Sequence, residues 1–441
     1  MNHIVCKLNT DDKFSISEQN IEIDLTNKDY YHLSFFNKAR RLYQFPTFFK
    51  KEALDLFYIS LIVFFADRKI IRSKSADAWT REITLHIPVL ELNKWQENKT
   101  RLEEMVSFLS GDIWKFEFRE REENETEMKF SAGMEKSKKN FIPDFFCMLS
   151  GGLDSYIGAI DLLQESKNIA FISHYGGGKG VKPYQDLVIS NLIKEYSLPK
   201  ELFFTFNAVP IKTKEEIENK ISLEDSTRTR SLMFFAHAIL LASATDKPID
   251  LYIPENGLIS LNIPLTNTRL GSNSTRTTHP YYMSMLQNLM NNLGIAVTLK
   301  NPFQFFTKGE MIKNCKNPNF LKGTLANTMS CSHPDNDWKL RKETPSHCGY
   351  CLPCVIRRAA IEFAFENDNS YYRIPNFDKG NQAPKELQSY KIGILDYKNN
   401  MTNVSFKIQA SGPIQNKFNE FEELYKRGMN ELMKLLDKYN G

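Results

Sequence analysis

The residues best suited to chemistry form a short turn of glycine, serine and aspartate. The run Ser150-Gly151-Gly152-Leu153-Asp154-Ser155 follows the apolar segment Phe145 to Leu149 and precedes a predicted helix from Tyr156 to Gln164. Adjacent glycines let the backbone approach an anion, the serines add hydroxyl groups, and the N–H groups of a first helical turn point at whatever sits there. The pattern predicts a phosphate-binding turn, and it differs from a Walker A loop because no lysine follows at the required spacing.

A second group of reactive residues consists of four cysteines. Cys348, Cys351 and Cys354 are separated by two residues each, and Cys331 lies earlier in the chain. Four thiolates make a closed tetrahedral zinc site, and an iron–sulfur cluster accepts the same ligands. His333 and His347 could replace one ligand, and a set of unligated thiols is the remaining alternative. A zinc ion here would be structural, because four sulfur ligands leave no open position.

The elements that must position these residues follow from the apolar pattern. From residue 145 onward, apolar runs alternate with helical patterns, which favours a parallel sheet built from βαβ units. Ligands of such open sheets bind beyond the carboxyl ends of the strands, where the 150–155 turn is expected. The predicted strands are Phe145 to Leu149, Ile169 to Tyr175, Leu202 to Phe206, Ile249 to Ile253 and Ile295 to Leu299, and the clearest helices between them are Tyr184 to Tyr196, Ser231 to Ala244 and Tyr281 to Leu293.

Composition divides the 441 residues into three parts. We expect a separate α+β module over residues 1–140, in which the charged stretch 119–140 is a linker or exposed loop. Residues 141–370 carry the glycine turn and the cysteine group at 331–358. Residues 371–441 form a C-terminal extension whose apolar residues, from Phe418 to Leu436, recur at three- and four-residue steps typical of an amphipathic helix.

Charge and hydropathy limit the classes of function that the sequence predicts. The chain has 57 Lys and Arg residues against 53 Asp and Glu residues, so its net charge of +4 does not predict a dominant nucleic-acid surface. The longest apolar segment, Leu54 to Ala66, is shorter than the ~20 residues of a membrane-spanning helix. The first residues lack the pattern of a signal peptide, so we expect a cytoplasmic protein without a membrane partner.

The two motifs together resemble a known family. The glycine turn is similar to the SGGxDS signature of the PP-loop ATP pyrophosphatases, and Cys348 to Arg357 reads C-G-x-C-x-x-C-x-x-R. Over residues 143–365 this combination resembles the 7-cyano-7-deazaguanine synthases, and in particular the QueC-like subunits of the QatC type from bacterial antiphage defence operons. Three shorter segments add to the resemblance: His174-Tyr175-Gly176, Arg228-Thr229-Arg230-Ser231 and Thr307-Lys308-Gly309-Glu310.

The chain also departs from this family. The stretch between Cys331 and Cys348 is longer than in the short synthases, His174 stands where the family has aspartate, and residues 1–140 have no synthase counterpart. Substrate or acceptor is therefore expected to differ from that of the housekeeping enzyme.

The resemblance implies both a fold and a reaction. The fold would be an adenine-nucleotide alpha-hydrolase-like (HUP, Rossmann-like) parallel sheet. The reaction would be an ATP-dependent C–N ligation with Mg²⁺, in which the carboxylate of 7-carboxy-7-deazaguanine attacks the α-phosphate, pyrophosphate leaves, and a nitrogen nucleophile displaces AMP. That nucleophile would be ammonia or an amine of a partner protein from the defence operon. Nucleic acid is not expected as a direct ligand.

The same resemblance assigns roles to individual residues. The catalytic candidates are Asp154, Lys308 and Arg228. ATP would be bound by Ser150, Gly151, Gly152, Leu153, Asp154, Ser155 and Arg230. The substrate candidates are Tyr175, Glu255, Asn256 and Arg276, the last of them within a polar run from Arg269 to His279. A carboxylate such as Asp154 suits Mg²⁺ at a phosphate, and a lysine supplies a mobile positive charge.

Two other functions fit the same motifs. One is a PP-loop tRNA-modifying enzyme whose cysteines hold an iron–sulfur cluster. The other is a scaffold of a defence complex that senses ATP without turning it over.

Overall fold

The computed structural model describes residues 2–9, 11–176, 180–265, 276–334 and 345–439. In these ranges the strands form where apolar and aromatic residues are concentrated, as their preference for pleated, buried surfaces predicts. They are β1 (Asn2–Lys7), β2 (Asn20–Asp24), β3 (Tyr31–Leu33), β4 (Glu82–Val89), β5 (Ile113–Glu120), β6 (Phe145–Met148), β7 (Ile169–Tyr175), β8 (Phe203–Pro210), β9 (Ile249–Tyr252) and β10 (Val297–Lys300).

The helices of the described ranges fill the connections between strands and the C-terminal part. The order along the chain is α1 (Ala39–Leu42), α2 (Lys51–Lys69), α3 (Leu92–Glu97), α4 (Lys99–Ser110), α5 (Glu125–Ser137), α6 (Leu153–Leu163), α7 (Lys182–Tyr196), α8 (Lys214–Glu218), α9 (Arg230–Ser243), α10 (Gly257–Ser260), α11 (Pro280–Leu293), α12 (Lys308–Lys313), α13 (Pro318–Thr324), α14 (Leu352–Phe365), α15 (Gln382–Asn399), α16 (Val404–Ser411) and α17 (Phe418–Leu436). No helix among the described residues is long and apolar enough to span a membrane.

The strands form two sheets. The first has the order β2-β1-β4-β5 and is parallel throughout. The second has the order β10-β9-β6-β7-β8-β3, and its first five strands are parallel. The α/β architecture and the parallel sheet predicted from residue 145 onward are therefore confirmed. In this sheet β7 and β8 follow β6 on one side while β9 and β10 lie on the other, so the strand order reverses between β6 and β9.

The N-terminal residues do not form the separate α+β module that composition predicted. The short strand β3 joins the second sheet, where it pairs antiparallel with β8. Helix α2 is buried on all sides, and one hydrophobic cluster contains residues of the first sheet, α2, α9 and the second sheet. A helix that is apolar all round needs cover on every face. The first sheet covers one side of α2, and α9 with the second sheet covers the other.

The stretch 119–140 has regular secondary structure, so it is not the linker or exposed loop that composition predicted. It contains the end of β5 and the helix α5. Asn124 and Glu127 form a capping box at the start of α5, and Arg121 donates two hydrogen bonds of 2.8 and 2.9 Å to Glu127, which is fully buried. The Arg121–Glu127 pair is thus buried within the structure, whereas most of the other charged side chains of the stretch are exposed.

The C-terminal part packs on the second sheet's side of the molecule. Helix α17 has one apolar face, which belongs to a separate hydrophobic cluster together with residues of α14 and α15. This face includes Phe421, Tyr425, Met429 and Leu432. The extension is therefore part of the folded body next to the elements that carry the motifs.

Candidate functional site

The glycine turn connects β6 to α6, with Gly152 as the N-cap residue of the helix. Gly151 has a φ of +86°, in the left-handed region that favours glycine, and a Cβ at this position would lie 2.8 Å from Cγ of Gln185. Ser155 closes the turn, since its Oγ accepts from the Ser150 N–H at 3.1 Å and lies 3.0 Å from the Ser150 Oγ. The turn is therefore compact and internally bonded.

Two residues from other elements hold the turn from outside. The Gln185 side chain, on α7, donates to the Ser150 carbonyl at 3.0 Å and to the His174 carbonyl at 2.8 Å. The Met329 N–H donates to the Gly151 carbonyl at 2.9 Å. Neither residue could be identified from the sequence, because these bonds depend on which segments become neighbours in the fold.

A buried ion pair lies directly after the turn. Lys308 Nζ is 2.5 Å from Asp154 Oδ1, and both residues are about 5 % exposed. The Asn256 side chain and backbone N–H donate to Asp154 Oδ2 at 2.6 and 3.2 Å. Burial by itself raises the pKa of Asp154, but the Lys308 ammonium and these hydrogen bonds outweigh it and lower the pKa to about 2. The Asp154 side chain is therefore a carboxylate at neutral pH.

Glu255 brings a second carboxyl group to Asp154. Burial and the negative charge of Asp154 raise the pKa of Glu255 well above its ordinary value, and the two carboxyl groups share a hydrogen bond. Asn301 fixes the backbone of Glu255, donating to its carbonyl at 2.9 Å and accepting from its N–H at 3.3 Å. The site thus has one ammonium group, one carboxylate and a second carboxyl group whose pKa is held above its ordinary value.

These groups line an open cleft of ≈ 210 Å³. It lies beyond the carboxyl ends of β6 and β9, where the strand order of the sheet reverses, and open α/β sheets bind ligands at such points. The lining residues are Ser150, Gly152, Leu153, Asp154, Ser155, Pro254, Glu255, Ile259, Lys308, Ser330 and Pro353. The turn can bind a phosphate through N–H and hydroxyl groups, and the paired carboxyl groups are ligands of the kind that Mg²⁺ takes.

The four predicted cysteines come together beside this cleft. Their Sγ atoms all lie within 4.8 Å of one another, and the distances from Cys331 to Cys351 and from Cys348 to Cys354 are both 3.9 Å. A tetrahedral site with Zn–S bonds of about 2.3 Å requires sulfur atoms about 3.8 Å apart. The backbone N–H groups of His333 and Cys348 also donate to Cys331 Sγ at 3.3 Å each. The group can therefore hold a metal ion such as zinc.

The cysteine group and the cleft share two neighbouring residues. Ser330, which precedes Cys331, and Pro353, which precedes Cys354, both line the cleft. A metal ion bound by the cysteines would therefore fix one wall of the cleft without contacting a ligand in it.

Two predicted arginines lie away from the cleft. Arg228 donates to the Ser110 carbonyl at 3.0 Å and stacks on Trp79, and Arg276 donates to the Phe108 carbonyl at 2.7 Å and stacks on Phe108. Both therefore hold the C-terminal end of α4 and line no part of the cleft. The geometry favours a structural role for them over the catalytic and substrate-binding roles that the resemblance implied.

The remaining candidates divide between the cleft and a neighbouring strand end. Asn256 is fully buried and donates a hydrogen bond to Asp154, so it holds the Asp154 carboxylate in position. Tyr175, at the end of β7, lies against Lys182, and Arg230, at the start of α9, lies over the ring of Phe234. Neither Tyr175 nor Arg230 lines the cleft, although both lie at the same edge of the sheet as the cleft. Arg269, in the predicted polar run, lies outside the described residues.

Comparison with known proteins adds no family. No protein-family model matches the chain, and a search of the curated proteins finds no match. The function must therefore be argued from the motifs and from the geometry of the site.

Proposed function

We propose that this chain is a QueC-like, ATP-dependent ligase with a HUP-type, Rossmann-like domain that activates a carboxylate as an acyl adenylate and couples it to nitrogen. One observation carries the proposal: a glycine turn at the strand-order reversal lies beside a buried Lys308–Asp154 pair in an open cleft. A phosphate-binding turn and a fixed positive charge are what the transfer of an α-phosphate requires.

Different residues of the cleft would have different roles in the reaction. In the first step a substrate carboxylate oxygen bonds to the α-phosphorus and the bond to pyrophosphate breaks. The N–H and hydroxyl groups of the 150–155 turn would bind the leaving pyrophosphate, and Lys308 would neutralise charge on the phosphates. In the second step an amine attacks the acyl carbon, AMP leaves with the electron pair of the broken bond, and the amine loses a proton.

Two metals would support this chemistry. Asp154, and Glu255 once it has lost its proton, would hold Mg²⁺, which supplies charge neutralisation at the phosphates. The four cysteines would hold zinc in a structural role, since a closed set of sulfur ligands leaves no position for a substrate. Zinc would then keep Ser330 and Pro353 in the wall of the cleft.

The substrate and setting of the proposal rest on the resemblance. It points to a deazaguanine carboxylate as the acid, to ammonia or an amine of a partner protein as the acceptor, and to antiphage defence as the context. The added N-terminal residues and the altered loops are the reason to include a protein amine.

The test is product analysis of the purified chain with ATP, Mg²⁺ and 7-carboxy-7-deazaguanine, with and without ammonia. We expect AMP and pyrophosphate that depend on the acid, measured by chromatography and mass spectrometry. A nitrile or amide product would show that ammonia is the acceptor, whereas adenylate that accumulates would point to a protein amine. AMP formation that is the same in wild type and in Lys308→Ala, or absent with every carboxylate offered, refutes the proposed function.

A further inference from the structure

Helix α12 places the lysine of the cleft and is too short to fix its own position. It has six residues, and Lys308 is the first of them. Thr307 is the N-cap residue and forms a capping box with Glu310. Helices of this length have little stability in isolation, so the location of the first turn depends on what contacts it.

The C-terminal helix α17 contacts that first turn through a buried glutamate. Glu431 is 7 % exposed and accepts hydrogen bonds from the Thr307 hydroxyl and from the Gly309 N–H. These donors flank Lys308 on both sides in the sequence. One carboxyl group therefore contacts the residues on both sides of the lysine.

The fit between the two helices is close and extends over a second contact. A Cβ on Gly309 would lie 2.6 Å from Glu431 Oε1 and 2.7 Å from Cδ1 of Phe363, so an added methyl group would displace the glutamate or the ring. One helical turn before Glu431, Arg427 donates to Glu310 Oε1 at 2.6 Å and to the Phe305 carbonyl at 2.8 Å. Each member of the Thr307-Lys308-Gly309-Glu310 segment thus has a partner that fixes it: Asp154 for the lysine and α17 for the other three.

We propose that Glu431 is a positioning residue that holds Lys308 in the cleft, so that the C-terminal extension completes the site. The inference rests on the proposed function for its catalytic consequence, but the positional part stands on contacts alone. Glu431 lies beyond residues 143–365, the part of the chain that carries the family resemblance. The extension therefore has a role within the chain's own chemistry, apart from any contact with partners.

The positional part is tested by chemical labelling of lysines. Wild type, Glu431→Ala and Glu431→Gln are acetylated briefly with an N-hydroxysuccinimide ester, and the extent at Lys308 is measured by mass spectrometry relative to the exposed Lys322. We expect the ratio to rise several-fold in Glu431→Ala and less in Glu431→Gln, which keeps one acceptor oxygen. Glu420→Gln, an exposed glutamate of the same helix, should leave the ratio unchanged. An unchanged ratio in a folded Glu431→Ala protein overturns the proposal.

The catalytic part is tested by the kinetics of AMP formation in the same variants. Displacement of Lys308 by about 1 Å should lower kcat by roughly 10- to 100-fold. We expect KM for the acid to stay the same and the loss to be smaller in Glu431→Gln. A variant that labels faster but keeps the wild-type kcat contradicts the positioning role.

The experiments also cover an inactive wild type and a Glu431→Ala variant that does not fold. If wild type forms no AMP, the proposed function fails, and the labelling ratio still decides whether Glu431 fixes Lys308. If Glu431→Ala does not fold, Gly309→Ala disturbs the same contact from the opposite side and takes its place in both measurements. An unchanged labelling ratio at Lys308 in that variant counts against the proposal in the same way.

Discussion

Replacing Lys308 by methionine removes one charge from the buried pair while keeping most of the side-chain volume. Asp154 would then be a buried carboxylate supported only by Asn256 and Glu255. Removal of one partner from a buried ion pair typically lowers the free energy of unfolding by about 3–5 kcal/mol, because the remaining charge is left without compensation. We expect Lys308→Met to fall in this range at pH 7.

The pKa of Asp154 gives an independent magnitude. It is lowered from 3.8 to about 2 in the folded chain. A shift of one pKa unit corresponds to about 1.4 kcal/mol, so the ionised Asp154 contributes about 2–3 kcal/mol at neutral pH. Because the folded pKa is the lower one, this contribution is complete above about pH 4 and is lost as the pH falls through about 2.

The assay is a double-mutant cycle on the urea unfolding midpoint with Lys308→Met, Asp154→Asn and the combined variant. The combined variant should be less destabilised than the sum of the single variants by about 2 kcal/mol or more, because it removes both charges together. Lys313→Met, at an exposed position of the same helix, should change stability by less than about 0.5 kcal/mol.

Two results would refute the reasoning. One is a coupling energy near zero, which would mean that the two side chains do not stabilise each other. The other is a difference in stability between wild type and Asp154→Asn that stays constant as the pH is lowered from 5 to 2.

Three further predictions concern the other parts of the site. Elemental analysis should find one zinc ion per chain in colourless protein. The variant Cys351→Ala should lose the metal and unfold at a lower temperature, whereas Cys315→Ser, outside the group, should keep it. Full metal content in Cys351→Ala would contradict the assignment. Gly151→Ala should lower the unfolding free energy by about 1–3 kcal/mol, because alanine is strained at positive φ and its Cβ meets Gln185, and it should weaken ATP binding measured by calorimetry; wild-type values for both would count against the turn geometry. Arg228→Lys should lower the thermal unfolding temperature but leave kcat and KM for AMP formation unchanged, and a large fall in kcat alone would restore the catalytic role implied by the resemblance.

The local elements of the second sheet could be predicted from the sequence. The predicted strand from Ile169 to Tyr175 and the observed β7 are identical, and the other four parallel strands agree within a few residues, whereas β3 was not predicted. Apolar runs and helical periodicity are consequences of short-range geometry, so they can be read without knowing the fold. The cysteine spacing likewise predicted a group that the structure brings within 4.8 Å.

The same short-range reasoning failed for segments whose structure depends on which side chains become buried. The charged stretch 119–140 has the composition of a linker, yet Arg121 and Glu127 pair inside the structure and α5 forms. Composition counts charges but does not show which of them meet. The apolar pattern of α2 predicts a buried helix, but it does not show which two layers cover that helix.

The glycine turn, the four-cysteine group and the alternation of strands and helices could all be read from the sequence, because each depends on residues close together in the chain. The pairing of Lys308 with Asp154, the hydrogen bond between the Glu255 and Asp154 carboxyl groups, and the contacts of Glu431 on both sides of the lysine come from the tertiary fold. These contacts join segments far apart in the sequence, and they follow from the order of the strands and the packing of α17. Arg228 shows the converse, since its segment resembles a family motif while the fold directs its side chain to the Ser110 carbonyl.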